Sequence, residues 1–289
     1  MIEKSSAIAL GFFDGVHIAH QKIIKSAVQF ANLNNIAPLV LTFDASPLEL
    51  LSHYEVRYIT TNSDKEALIS ALGAKAEFLP VSHELLSMEP EEFIEKILVG
   101  KFGIKHAVCG YNYRFGKDGR GDTNLLIKEG ERLGFSVEAL PCEMVEGESV
   151  SSSRIRKLLS EGNISLANKL LGRYFFERGT VTEGKKLGRK LGFPTANVFF
   201  DEKSVNLKKG VYKTLVSISE NSYEAITNVG VNPTLGGEAA RSETYIPSFE
   251  GDLYGKEIKI DFVDFIRPEK KFDSIEELKM QIKEDLKKL

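Results

Sequence analysis

Gly11-Phe12-Phe13-Asp14-Gly15-Val16-His17-Ile18-Ala19-His20 decides how the front of this chain folds. Residues 7–13 are apolar, as in a buried parallel strand, and Asp14-Gly15 breaks the run. From about Val16 the pattern turns helical, with Ile24, Ala27, Val28 and Ala31 recurring at three- and four-residue spacing. Strand, tight turn, helix leaves unpaired backbone N–H groups at the helix start, and these favour an anion. His17 and His20, three apart, are expected on one face of the first turns, and Gly15 lets the backbone approach a ligand closely. A capped helix with two surface histidines is the plainer alternative. The pair, the glycine turn and the preceding strand together favour a phosphate site.

Outward from this turn, Pro38–Phe43 is a second buried strand, so residues 7–43 form a βαβ unit with a right-handed crossover. A loop with Asp44, Ser46 and Pro47 follows, then a helix over 64–72, a strand over 76–81 and a helix over 90–102. A strand over 105–110, a helix over 123–133 and a strand over 135–140 continue the alternation. The glycines at 116, 119 and 121 suggest a mobile loop from Tyr111 to Asp122. This β-α-β order predicts a doubly wound α/β domain, in which ligands bind beyond the carboxyl ends of the strands. Ser151-Ser152-Ser153-Arg154-Ile155-Arg156 opens another helix; its hydroxyls either cap it or donate to phosphate, and Arg156 can add charge-assisted bonds. A short helix runs to Leu171, and Gly172-Arg173 is the expected boundary between domains 1–172 and 173–289.

Beyond the boundary the character changes. Short strands at 174–181, 210–218, 223–229, 241–246 and 257–263 are separated by Asn221-Ser222, Asn232-Pro233, Gly236-Gly237 and Gly251-Asp252 turns. That spacing reads as an antiparallel barrel or sandwich. A final helix starts near Ser274, with Ile275, Leu278, Ile282 and Leu286 as its apolar stripe.

The 289 residues are 42% hydrophobic and carry a net charge of −3, an ordinary globular composition long enough for two cores. The acidic balance gives no electrostatic case for nucleic acid. No run approaches the roughly 20 apolar residues that span a bilayer, and the first residues read as a strand rather than a signal peptide. Cys109 and Cys142 lack metal spacing; both are expected as buried free thiols in strand-like runs, which suits a reducing cytoplasmic compartment. Histidines 17, 20, 53, 83 and 106 all precede the boundary, so the back half must do acid–base chemistry without one.

The informative back-half stretch is Gly188-Arg189-Lys190-Leu191-Gly192-Phe193-Pro194-Thr195-Ala196-Asn197. Thr195 and Asn197 alternate along an extended chain, so their oxygens face one side. Neutral oxygens suit magnesium (Mg²⁺), which keeps waters and takes other ligands from substrate phosphates. Plain turn chemistry is the alternative. Gly179 to Lys185 matches most of a P-loop, but Lys186 stands where Ser or Thr belongs, and a strand entering a barrel is the wrong context.

With these motifs in order, the chain resembles the bacterial bifunctional riboflavin kinase/FMN adenylyltransferases, or FAD synthetases, over nearly its whole length. GFFDGVHIAH is similar to the nucleotidyltransferase motif G-x-F-D-G-x-H-x-G-H, VCGYNYRFG (108–116) to the second motif, and VSSSRIRKLL (150–159) to I-S-S-T-x-I-R. GRKLGFPTAN, NVGVNPT (228–234), Ser242-Glu243-Thr244, DLYG (252–255) and RPEKKFDSIEEL (267–278) resemble the riboflavin kinase signature. The resemblance implies an N-terminal nucleotidyltransferase domain and a C-terminal β-barrel kinase domain with a C-terminal helix.

It implies two reactions with ATP. The barrel would phosphorylate riboflavin to FMN, with Thr195 and Asn197 holding Mg²⁺-ATP, Gly184, Arg189, Gly192 and Pro194 lining the nucleotide, Glu243 as base, and Tyr254 and Arg267 joining Glu243 around the flavin. The front domain would adenylylate FMN to FAD, with His17 and His20 stabilising phosphate charge. Gly11, Phe12, Asp14, Gly15, Asn112, Ser151, Ser152, Ser153 and Arg156 would hold its ATP. The implied partners are the small molecules ATP, riboflavin and FMN, with no nucleic acid, no membrane and at most weak or transient self-association. Ala19 stands where the motif has glycine, and Asp44-Ala45-Ser46-Pro47 lacks the first proline and the histidine of the family's loop. Ser153 replaces threonine, and Tyr245 stands where the family usually has histidine. The competing expectations are a kinase whose degenerate front domain is a scaffold or flavin-binding regulator, and a nucleotide-binding regulator without turnover.

Overall fold

Short apolar runs separated by helices build the first half, and a computed structural model of the protein describes residues 5–52, 55–184, 188, 191–231 and 240–289. It divides into two compact units, Met1–Ser152 and Ser153–Leu289.

In the first unit, strands β1 (Ser6–Leu10), β2 (Ala37–Phe43), β3 (Lys75–Leu79), β4 (Ile104–Gly110) and β5 (Ser136–Leu140) form one sheet in the order β3-β2-β1-β4-β5. All neighbours run parallel. Central β1 is buried on both faces, which is why its sequence is continuously apolar. Ile8 and Leu10 pack with Phe93, Ile94, Leu98 and Leu126 on one side. Ala9 packs with Ile24, Ala27 and Ile69 on the other, where its small side chain lets helix Ile18–Asn34 approach. The strand order reverses between β1 and β4, and a sheet of this kind opens its ligand crevice there.

Most expected elements form within a few residues, with four differences. The first strand stops at Leu10 rather than 13, because Phe13, Gly15 and Val16 all take positive φ. The Asp44–Pro47 loop runs into a helix, Pro47–Ser52, in place of irregular chain. The helix beginning at Pro90 passes into π-helical winding over Phe93–Lys101. The glycine-rich segment 111–122 is tied down: Phe115 and Gly121 exchange both backbone hydrogen bonds, Lys117 N–H donates to Met88 O, and Arg120 forks onto Glu89. Cys109 is buried in β4 as expected, but Cys142 is only half-buried and lies in the chain after β5, before the hairpin β6 (Met144–Val145) and β7 (Glu148–Ser149).

In the second unit, β8 (Phe175–Thr182), β9 (Thr195–Phe199), β10 (Gly210–Ile218), β11 (Asn221–Val231), β12 (Ala240–Tyr245) and β13 (Glu257–Pro268) close a barrel in the order β10-β11-β12-β9-β8-β13. This settles barrel over sandwich. Closure leaves no free sheet edge. The expected turns at 232–233 and 236–237 lie outside the described residues. Along β12 the alternation is sharp. Ser242 and Thr244 point inward and are fully buried, so Arg241, Glu243 and Tyr245 project outward. Inside, the Thr214, Thr227 and Thr244 hydroxyls form a chain at 2.8 and 3.0 Å that also reaches Ala225 O. Helix Ile164–Leu171 docks through Asn168, whose side chain donates to Phe262 O and accepts from Phe175 N–H. Helix Ile275–Leu286 turns Leu278 and Ile282 toward the barrel wall, whereas Ile275, expected in its apolar stripe, is exposed. Among the described residues no helix is long and apolar enough to cross a membrane.

Thr227→Val keeps shape but removes the middle hydroxyl of the buried chain. It should lower barrel stability by about 1–3 kcal/mol, read as a shift of the denaturant midpoint with unchanged slope.

Candidate active sites

The front site is the turn after β1. Phe13 (φ 55°), Gly15 (φ 78°) and Val16 (φ 40°) crowd three left-handed residues into four positions. What holds them is the Asp14 carboxylate, 1% exposed, which accepts from Ile59 N–H at 3.0 Å and Thr60 N–H at 3.3 Å. Gly15 N–H donates to Thr60 Oγ1 and the Ser152 hydroxyl donates to Asp14 O, so the turn is tied on two sides. Asp14 therefore builds the turn, and its acceptors are directed to protein N–H groups rather than outward.

His17 precedes helix Ile18–Asn34 and caps it: its Nδ1 accepts the His20 backbone N–H at 3.3 Å. With Nδ1 accepting, Nε2 is the atom of the His17 ring left to donate. The two imidazoles stack with centroids 3.5 Å apart, so the pair is closer than neighbouring positions on a helix face require. Burial, then His17, then Lys65 hold His20 well below the usual histidine range, so it is an uncharged hydrogen-bonding group at neutral pH. Its buried Nδ1 has no hydrogen-bond partner among the described residues. A partnerless polar atom beside a capped helix start is suited to a polar ligand.

Gly11 and Phe12 lead into the turn, and Thr42 Oγ1 fixes Phe12 O at 2.8 Å. Ala19 lies in the first helical turn without disturbing either the cap or the stack. The divergent Asp44–Pro47 loop is built from other bonds: Asp44 accepts from Val81 N–H, Ser46 N–H donates to the Tyr58 hydroxyl, and Tyr58 donates to Glu49. Asn112 is exposed just beyond β4. Ser151 and Ser152 close the first unit, while Ser153 and Arg156 belong to the second, on helix Ser152–Glu161.

The back site is written in the barrel register. Arg267, Val211, Asn228, Glu243, Asn197 and Thr182 stand opposite one another strand by strand across β13, β10, β11, β12, β9 and β8. Residues directly opposite share a face, so Glu243 and Asn197 project together, with Tyr245 and Thr195 as the next pair. A Cβ at Gly184 would lie 2.5 Å from the Asn197 amide, so only glycine lets that chain pass so close. Glu243 pairs with Arg241 on the same face of β12. Gly188, Phe193, Thr195, Glu243, Arg267 and Phe272 are among the walls of a cavity of about 590 Å³. Arg267 is locked by Asp285, with Nε–Oδ1 and Nη2–Oδ2 distances of 3.0 and 2.8 Å.

Tyr254 and Pro194 line a separate recess of about 80 Å³ that shares Thr195 with the large cavity. Gly192 takes a φ of +89°, and Arg189 lies outside the described residues. Sequence reasoning gave no site role to Asn228 and Phe193, although both fall inside quoted motifs, and left out Arg241. Asn228 and Arg241 were recoverable from period-two alternation once their strands were placed beside Glu243. Phe193 and Phe272 meet the cavity only through folding.

The fold and sites suit a two-part phosphate-handling enzyme: a parallel-sheet domain joined to a barrel that sets a carboxylate beside neutral side-chain oxygens. Family models agree: FAD synthetase matches residues 1–154 and riboflavin kinase residues 171–289. The bifunctional riboflavin kinase/FMN adenylyltransferase of Listeria monocytogenes is 35% identical over 97% of this chain and 90% of its own. That of Bacillus subtilis is 34% identical over 98% and 91%. A solved structure described as a macrolide-efflux protein from Streptococcus pneumoniae is 31% identical and covers 99% of this chain and 94% of its own, with a TM-score of 0.91. The chain belongs to the bifunctional riboflavin kinase/FMN adenylyltransferase family.

Asp14→Ala removes the acceptor that holds the front turn. It should destabilise the first unit by about 3 kcal/mol, since bonds to a charged group are worth ~1.5–3 kcal/mol. Amide exchange at Ile59 and Thr60 should speed up while the barrel amides keep their rates.

Proposed function

We propose that this chain phosphorylates riboflavin to FMN in its barrel domain and adenylylates FMN to FAD in its sheet domain, using ATP in both steps. The observation that carries the kinase assignment is Glu243 standing directly opposite Asn197 on the face that carries Thr195, beside a cavity of about 590 Å³. The ribityl hydroxyl of riboflavin gives its proton to Glu243, its oxygen bonds the ATP γ-phosphorus, and the bond to the β-phosphate oxygen breaks to release ADP. A carboxylate is the available base because the barrel domain contains no histidine. Arg241 pairs with Glu243 and orients its carboxylate. Phosphoryl transfer asks for positioning and charge neutralisation more than covalent chemistry.

The donor set fits magnesium. Thr195 and Asn197 present neutral oxygens, Gly184 leaves room against the Asn197 amide, and no carboxylate, histidine or cysteine cluster competes among the described residues. Bound Mg²⁺ would neutralise phosphate charge, with Thr195 and Asn197 as its protein ligands. Gly184, Arg189, Gly192 and Pro194 line the nucleotide; Glu243, Arg267 and Tyr254 serve the flavin. Tyr254 reaches it only if the flavin extends toward the smaller recess that shares Thr195.

In the sheet domain, a phosphate oxygen of FMN attacks the α-phosphorus of ATP and pyrophosphate leaves. His17 and His20 act as hydrogen-bond donors to the phosphates rather than as two cations, which follows from the uncharged state of His20. The Gly11–Gly15 turn holds the nucleotide backbone, Asn112 its far end, and Ser151, Ser152, Ser153 and Arg156 the triphosphate. We assign the functional domains as 1–172 and 173–289 and place the protein in a reducing cytoplasmic compartment, which its free cysteines suit. The undisturbed cap and stack around Ala19 favour a working front site over a scaffold.

A time course from riboflavin, ATP and Mg²⁺, with a parallel reaction from FMN, should show FMN first and FAD second. Glu243→Gln should abolish FMN formation and spare FAD formation from supplied FMN; loss of both would refute the division of labour. The double substitution His17→Ala, His20→Ala should cut FAD formation at least a hundredfold and spare FMN formation, since one preorganised donor contributes ~3 kcal/mol. An unchanged FAD rate would remove the histidines from the mechanism.

A further inference from the structure

Lys65 sits on helix Asn62–Ala71 with 1% of its surface exposed, among the largest fully buried side chains of the protein. Its Nζ lies 4.4 Å from the centroid of the Phe12 ring and 5.7 Å from that of Phe78. Phe12 stands just past the carboxyl end of β1, and Phe78 is the penultimate residue of β3. The charged and titratable groups that act on Lys65 from neighbouring elements are Asp14, in the turn after β1, and Asp44, after β2; Lys65 in turn acts on His20. On its own helix, Asp64 is occupied by the Thr61 hydroxyl at 2.7 Å.

We propose that Lys65 is a positioning residue for adenylyl transfer, its buried ammonium holding Phe12 and the Asp14 turn in register with His20. The inference rests on the front domain being the adenylyltransferase. A buried ammonium is a poor choice for stability alone, because an apolar side chain of similar volume at such a place is often neutral or stabilising. What the ammonium supplies and a methyl group would not is attraction to the Phe12 ring face and to Asp14, and a repulsion that adds to the larger effect of burial on His20.

Burial brings the Lys65 pKa down to about 8, against the pull of Asp14 and Asp44. Between that value and the ordinary lysine range the unfolded chain binds a proton that the folded chain does not. Stability contributed at this residue therefore rises with pH across that window, and below it the folded protein carries the buried charge in full. The ordering effect has the opposite sign: it is present below about pH 8 and lost above.

The test compares the full chain with Lys65→Met, measuring kcat and KM for FAD formation from FMN and ATP with Mg²⁺ across that pH window. Riboflavin phosphorylation and thermal stability are followed in the same preparations. The expected result is a wild-type kcat that falls as pH rises through about 8. Lys65→Met should lose on the order of a hundredfold in kcat and lack that limb, with riboflavin phosphorylation unchanged and stability equal or higher at neutral pH. Retention of kcat and of the alkaline limb in Lys65→Met would overturn the proposal. So would a loss of stability matching the loss of rate, which marks a structural role. A wild-type chain that makes FMN but no FAD would instead overturn the reading of the front domain on which the proposal stands.

Discussion

A buried carboxylate holds the front half in its working shape. Phe13 and Val16 adopt a left-handed backbone that side-chain-bearing residues avoid, each at about 1–3 kcal/mol. Asp14 offsets this by collecting backbone N–H groups from Ile59 and Thr60, distant in sequence. The tight turn then delivers His17 to the start of helix Ile18–Asn34, where it caps the helix and stacks on His20. Strand, turn, cap and histidine pair form one connected unit. A relaxed turn would move all of them.

The barrel solves a different problem. Six short strands have too little area to bury two faces, so closure gives an inside filled by Tyr212, Phe262 and the threonine hydroxyl chain and an outside free for chemistry. Period-two alternation makes the split automatic: Ser242 and Thr244 belong to the interior, Arg241, Glu243 and Tyr245 to the outer face. Helix Ile275–Leu286 then covers part of the outer face, and Asp285 from it fixes Arg267 at the cavity wall.

The two halves handle phosphate by different electrostatics. The barrel sets Glu243, paired with Arg241, beside the neutral side chains of Asn197 and Thr195, which suits the metal-bound nucleotide and the proton removal proposed above. The sheet domain offers a capped helix start, uncharged His20 and a buried lysine one layer further in. The adenylyl transfer proposed there needs no proton removed from the substrate phosphate.

Much was legible in the residues. Continuous apolar runs marked β1, β2 and β4, and alternation marked the barrel strands, because burial on two faces or one writes itself into hydropathy at the matching period. Local patterns drew attention to the histidine pair and to Thr195 and Asn197, since turns and extended chain place near neighbours predictably, whereas Glu243 was singled out only by the family resemblance. The sequence alone left barrel and sandwich open, hid the helix Pro47–Ser52 and made the 111–122 segment look loose. Tertiary structure decided that Asp14 accepts from Ile59 and Thr60, that Glu243 meets Asn197 on the neighbouring strand, that Tyr254 and Arg267 line different recesses, and that Lys65 is buried beside Phe12. The physical reason is range. Hydropathy and turn chemistry act over a few residues, whereas strand register, closure and burial of a charge depend on which distant segments the whole fold brings together.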